Sequence, residues 1–246
     1  MKNIFFLVTL FVCLISQAQN KRIWLDAEVE HNFGIGKWFD SPEINDALRK
    51  GGFTDIKARF NWRFSKNVGL YSDLSFGIYY YEKGYKADDI LNEFSSDKYY
   101  PNSSPYMDDY EETGFKMNLG VFYKFRYNKF DLLPRLGIGF EYIFDPYAIN
   151  TFKEKDSNNK YDVRYQWMPD DEMLLVTSLE LVSSYRISKL MSLNFGLSYR
   201  YRLTRPKFES TVYDYYSGAL IDRKSIMGNN TSTLGVSVGV SFGWGR

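Results

Sequence analysis

A single histidine, His31, and nineteen charged residues recurring at every second position are the groups in this 246-residue chain whose types and spacing could do chemistry. A histidine general base activates a nucleophile only when a hydroxyl or thiol lies within hydrogen-bond reach and a third group orients the ring. No serine is spaced to receive help from His31, and two residues further on stands Phe33. The acidic pairs Asp88-Asp89 and Asp170-Asp171 lack the rest of a calcium-coordinating pattern. No phosphate-cradling glycine loop or nucleotide motif occurs either, so the sequence assigns no catalytic residue, metal or cofactor. The chemistry left to the charges is ion pairing or ion conduction.

The charges are placed by eight alternating segments, in each of which they share one face with the other polar residues. In the first, Arg22, Trp24, Asp26, Glu28, Glu30 and Asn32 oppose Ile23, Leu25, Ala27, Val29 and Phe33. In the second, Asp55, Lys57, Arg59, Asn61 and Arg63 oppose Ile56, Ala58, Phe60, Trp62 and Phe64. The third carries Asp73 against Leu70, Leu74, Phe76, Ile78 and Tyr80, and the fourth Lys116, Asn118, Lys124 and Arg126 against Met117, Leu119, Val121, Tyr123 and Phe125. Asp131, Arg135 and Glu141 follow in the fifth, Glu180 and Arg186 in the sixth, and Asn194, Arg200 and Arg202 in the seventh. The eighth sets Leu234, Val236, Val238, Val240, Phe242 and Trp244 against Gly235, Ser237, Gly239, Ser241 and Gly243, leaving room for Asp26, Glu28 and Glu30. Strict period-two alternation with one apolar and one charged face predicts strands with lipid outside and a polar interior inside.

Connection lengths alternate too. Ser65-Lys66-Asn67, Tyr127-Asn128-Lys129 and Ser188-Lys189-Leu190 are tight turns, whereas 34–54, 81–114, 145–172 and 205–231 are long. This predicts an all-β, eight-stranded antiparallel up-and-down transmembrane barrel with short periplasmic turns and four long outer loops. Aromatic residues fall in two belts. Trp62, Phe64, Tyr123, Phe125, Phe242 and Trp244 mark the turn end; Tyr80, Tyr142, Tyr199 and Tyr201 mark the loop end. Within the loops, residues 94–112 are rich in tyrosine and acid, Thr211 to Tyr216 and Leu220 to Ile226 flank a Ser217-Gly218 hairpin turn, and Ser41-Pro42-Glu43 opens a short helix ending at Gly51-Gly52.

The apolar stretch Ile4 to Ile15 followed by Ser16-Gln17-Ala18 reads as a secretory signal cleaved after residue 18, leaving 19–246 as one barrel domain. Cys13 lies inside that stretch, so the mature chain has no thiol for disulfides or metal. Without Lys2 the chain holds 30 basic and 30 acidic residues, a balance that gives no nucleic acid a basic surface to bind.

On its signal ending Gln17-Ala18-Gln19, its eight strands and its last alternating segment with Phe242 and Trp244, the chain resembles the small bacterial outer-membrane barrels. These are the OmpX-like and OmpA-transmembrane-domain group and the porin-like β-barrel proteins of Bacteroidetes. Gly245 and Arg246 depart from the family's final aromatic residue. The resemblance implies a place in the Gram-negative outer membrane among its lipid and lipopolysaccharide, insertion by the barrel-assembly machinery, and loops able to meet an extracellular protein or surface ligand. Barrels of this kind that modify lipid A place a serine near their histidine, or an apolar lumen for the acyl chain, and neither is present here. Eight strands enclose a space that side chains fill. The inward charges are therefore expected to pair into a network that closes the lumen, giving a structural or surface-interaction protein and no enzyme; a narrow porin is the alternative.

Overall fold

The computed structural model describes residues 23–36, 50–81, 99–101, 106–107, 111–143, 147–154, 157–167, 173–188 and 190–244. The signal segment, Arg22, the loop helix and both acidic pairs lie outside them. In chain order the strands are β1 (Ile23–Ile35), β2 (Lys50–Arg63), β3 (Val68–Tyr81), β4 (Tyr99–Pro101), β5 (Tyr106–Met107), β6 (Glu111–Tyr123), β7 (Phe125–Tyr127), β8 (Phe130–Ile143), β9 (Tyr147–Glu154), β10 (Lys160–Trp167), β11 (Leu174–Arg186), β12 (Met191–Arg202), β13 (Lys207–Asp214), β14 (Leu220–Met227) and β15 (Ser232–Trp244).

Eight long antiparallel strands, β1, β2, β3, β6, β8, β11, β12 and β15, close on themselves through the β8–β11 and β1–β15 ladders. Closure fixes the dimensions of the interior. Stepping from partner to partner around the wall leads from Trp24 through Asn61, Tyr71, Gly120, Gly137, Ser178, Arg200 and Thr233 to Gly34, ten residues above the start on β1. With about 3.3 Å per residue along a strand and about 4.8 Å between strands, that stagger tilts the strands by roughly 41° and sets a backbone radius of about 8 Å. Side chains from opposite walls must meet.

The turns hold this register locally. Asn128 adopts the left-handed conformation (φ 52°) between Tyr127 and Phe130, as asparagine tolerates better than most residues. The Ser65 hydroxyl accepts from the Val68 amide at 3.0 Å, and the Ser188 hydroxyl accepts from the amides of Leu190 and Met191 at 3.2 and 3.1 Å. The fourth segment, read from the sequence as one strand to Arg126, is divided at Lys124 without loss of register: Phe122 stays opposite Arg135 and Phe125 opposite Leu132. At the gap stands Pro134, which has no amide hydrogen to give the ladder.

The outer wall is apolar. Ile56, Phe76, Leu136 and Leu197 are each about 60% exposed, far more than a water-soluble fold leaves in one continuous belt. A closed barrel with such a belt outside and charges inside is an outer-membrane architecture.

Beyond the loop end the expected loops contain further strands. A six-stranded sheet runs β14-β13-β10-β9-β4, with β5 also paired to β9. The predicted hairpin corresponds to β13–β14, with Gly218 at φ 68° in its turn, although Tyr215 and Tyr216 belong to the turn itself. The β9–β10 hairpin falls where the sequence reads as loop. The bounds of the first two loops also shrink, because Lys50, Gly51 and Gly52 begin β2 and Glu111 begins β6.

Candidate functional site: the charged barrel interior

The inward parity of every barrel strand converges on one ion-pair network. Arg59 is its hub. From β2 its guanidinium reaches Asp73 on β3 (3.1 Å), Glu28 on β1 (3.3 Å) and Glu180 across the lumen on β11 (2.5 Å). Lys57, one inward step closer to the loop end, joins Glu30 at 2.7 Å and Glu180 at 3.2 Å. Arg200 on β12 ties Glu30 (2.5 Å) to Asp55 (3.3 Å), and Lys116 on β6 binds Asp55 at 2.8 Å. Nearer the loop end Arg202 forks onto Glu141 with bonds of 2.7 and 2.9 Å. Towards the turn end Arg135 meets Asp26 at 2.9 Å.

Neutral groups complete the network, as buried charge requires. Asn61 and Ser241 donate to Asp26, Asn118 to Asp73, and Ser198 to Glu30. The small residues of β15 make the space: a Cβ on Gly235 would lie 2.6 Å from Glu30 Oε1, and one on Gly239 would lie 2.7 Å from Glu28 Cγ.

Below the charges lies an apolar layer in which sequence reading missed Tyr71, Phe122 and Leu133. Tyr71, Phe122, Leu133 and Val182 are buried together, with Trp24 packed against them and edge-on to Phe122 at 5.2 Å. Tyr71 lies across the wall where Gly120 and Gly137 leave room, under the guanidinium groups of Arg59 and Arg135 at 5.2 and 5.7 Å. Its signal was available: Tyr71 has the parity of Asp73, and Phe122 that of Lys116.

Five charges expected in the network lie apart from it, four basic residues and Asp131. Arg63, Lys124, Arg126 and Arg186 gather at the turn-end mouth, where Asp131 takes Lys124 at 2.8 Å, Arg126 at 3.0 Å and Arg186 at 3.7 Å. Arg126 is not enclosed, its side chain being 43% exposed. Alternation gave it the inward parity, but it stands beyond the aromatic belt, where the interior opens to water.

On the outer wall, Trp62 packs near Phe64 (6.0 Å) and Tyr123 near Phe125 (4.5 Å) at the turn end, with Phe242 exposed beside them. Tyr199 and Tyr201 are exposed at the loop end and Tyr142 is half-buried. The backbones of Tyr80 and Trp244 lie in β3 and β15, and their side chains fall outside the described residues. His31 also faces outward. It finds a hydroxyl that sequence spacing did not reveal, Thr54 Oγ1 at 3.0 Å on the neighbouring strand, and it stacks edge-on to Phe33 at 4.7 Å. Among the described residues no carboxylate contacts the ring and no set of side chains is arranged to hold a metal ion.

No family model matches the chain, and no curated protein matches it in sequence. Solved structures similar to it include a major outer membrane protein from Thermus thermophilus (12% identity, 89% of this chain and 98% of that one, TM-score 0.45). Others are Neisserial surface protein A (12% identity, 89% and 96%, TM-score 0.40) and the attachment invasion locus protein Ail of Yersinia pestis (9% identity, 90% and 97%, TM-score 0.36).

Proposed function

We infer that this outer-membrane barrel has a sealed interior and works at its loop end, in envelope structure or in recognition of a surface ligand or extracellular protein. The observation carrying this reading is Arg59: one guanidinium, fully buried, bridges β1, β2, β3 and β11. A side chain so enclosed and anchored on four strands leaves little room for water at its level, which supports a seal. The six-stranded outer sheet adds a built surface where the sequence reads four long loops with a single hairpin in the last. Its surroundings would be lipid and lipopolysaccharide, after removal of residues 1–18 and insertion by the assembly machinery.

Planar-bilayer recording tests the seal. The expected trace shows no unit steps; stepwise single-channel current would overturn the reading and establish a narrow porin. Enzymatic action on lipid A has one favouring observation, the His31–Thr54 pair. Among the described residues no third, orienting group stands beside the ring, as nucleophilic catalysis would use. Mass spectrometry of lipid A from overexpressing cells should show no change, and an acyl-chain change abolished by His31→Ala would assign catalysis to that pair.

A further inference from the structure

Among the described residues, basic side chains outnumber carboxylates at the turn-end mouth. Arg63, Lys124 and Arg126 line a vestibule whose inner end is formed by Arg135, Leu133, Val182 and Asn194. The one carboxylate among its described lining residues is Asp131, already shared among Lys124, Arg126 and Arg186. Only the Nε of Arg126 is used by Asp131, and Arg186 Nε and Nη2 make no hydrogen bond. At the inner end Arg135, whose side chain is 1% exposed, spends Nη2 on Asp26 and Asn61, lies with Nη1 3.8 Å from Glu180, and leaves Nε without a hydrogen bond. The vestibule has a free volume of about 40 Å³, room for roughly three water molecules.

We propose that this vestibule binds one small oxyanion of the phosphate type. Several cationic donors converge from different strands around a space too small for a polypeptide or a sugar chain, and a tetrahedral oxyanion can accept from several directions at once. Guanidinium groups suit it because their planar forks bind two oxygens together. The deep network needs no further anion, since its seven carboxylates (Asp26, Glu28, Glu30, Asp55, Asp73, Glu141 and Glu180) face six cations (Lys57, Arg59, Lys116, Arg135, Arg200 and Arg202). Among the described residues, the excess of basic groups over carboxylates sits at the mouth. Two sources supply the same chemistry there: free phosphate, or the headgroup of a phospholipid in the leaflet marked by Trp62, Phe64, Tyr123 and Phe125.

The test uses the full barrel purified in dodecyl maltoside, which carries no phosphate. Inorganic phosphate is titrated calorimetrically, and phosphatidylglycerol retention is followed by native mass spectrometry. Saturable binding of one equivalent is expected in at least one arm, weakened about tenfold or more by Lys124→Gln with Arg126→Gln and unaffected by Lys66→Gln with Lys129→Gln on the exposed turns. Phosphate binding alone identifies a free-ion site, and lipid retention alone identifies a headgroup site. Absence of both, or loss caused equally by the turn lysines, overturns the proposal. If the vestibule variant fails to show heat-modifiable migration, wild-type Arg126 modification by phenylglyoxal replaces it: protection in at least one of the two arms is expected, and none in either overturns the proposal.

Discussion

Replacing Arg59 with methionine distinguishes a dry interior from a water-filled one. Methionine keeps much of the side chain's length but no donor, so Asp73, Glu28 and Glu180 lose their shared cation. Part of that loss is made good nearby: Glu180 keeps Lys57 at 3.2 Å, Asp73 keeps Asn118 at 3.1 Å, and Glu28 keeps Asn194 at 3.5 Å. Breaking one buried pair costs about 3–5 kcal/mol because a charge is left behind. With those residual partners the whole substitution should fall in the same range, not at three times it. In a water-filled lumen the same contacts would be screened pairs worth about 0–1 kcal/mol. Salt at about 1 M, with a screening length near 3 Å, would then erase most of the difference. The assay is urea unfolding of the chain folded into lipid vesicles, followed by tryptophan fluorescence at low and high salt. We expect a loss of about 3–5 kcal/mol that salt leaves unchanged, with about 1 kcal/mol or more recovered when Glu28→Gln removes one stranded carboxylate. A loss below about 1 kcal/mol, or one halved by salt, would refute the sealed interior.

Gly120→Ala should lower stability by about 1–3 kcal/mol in the same assay, because its methyl would press into the Leu136 carbonyl and lie 2.6 Å from the Tyr71 ring, and backbone cannot move aside. Asp214 should report the outer hairpin: hydrogen bonds from the Ser217 hydroxyl first, then from the Ser217 and Tyr216 amides, hold its carboxyl below the ordinary range. The depressed folded value means that this contribution to the turn is complete above the unfolded carboxylate value of about 3.9 and is lost as pH falls through the folded one. The Ser217 amide resonance should therefore titrate below that value and move upward in Ser217→Ala; an amide insensitive to acid would show that the bond is not made.

The barrel was legible because lipid enforces a rule on every second residue. Wherever the wall meets hydrocarbon, as at Ile56, Ala58 and Phe60, a polar side chain is costly, and the inward partners Lys57 and Arg59 stand out by contrast. Register and pairing were less legible. Nothing in the spacing of Arg59 specifies that it reaches Glu180, 121 residues away, because the reach depends on barrel radius and stagger. Tyr71, Phe122 and Leu133 escaped notice as apolar residues on a face defined by charge. In β9 and β10, Tyr147–Glu154 and Lys160–Trp167, no hydrocarbon imposes alternation, so strands stabilised by pairing with one another looked like loop.

Two barriers of different physics stand in series along the axis, and they make a combined prediction. An ion would first have to displace cations bound at 2.5–3.3 Å to several carboxylates, then cross the Tyr71, Phe122, Leu133 and Val182 layer, which offers it little solvation. Removing one barrier leaves the other, so neither Arg59→Met nor the pair Tyr71→Ala with Phe122→Ala should conduct alone. Both together should give measurable steps in planar bilayers, because the layer and the hub occupy adjacent levels of the same barrel. With Arg59 gone, seven carboxylates face five cations in the deep network, and Arg135 is held by Asp26, so the opened path should favour cations. Conductance in Arg59→Met alone would show that the apolar layer is no barrier; silence in the combined variant, with the barrel still folded, would place the seal elsewhere in the network.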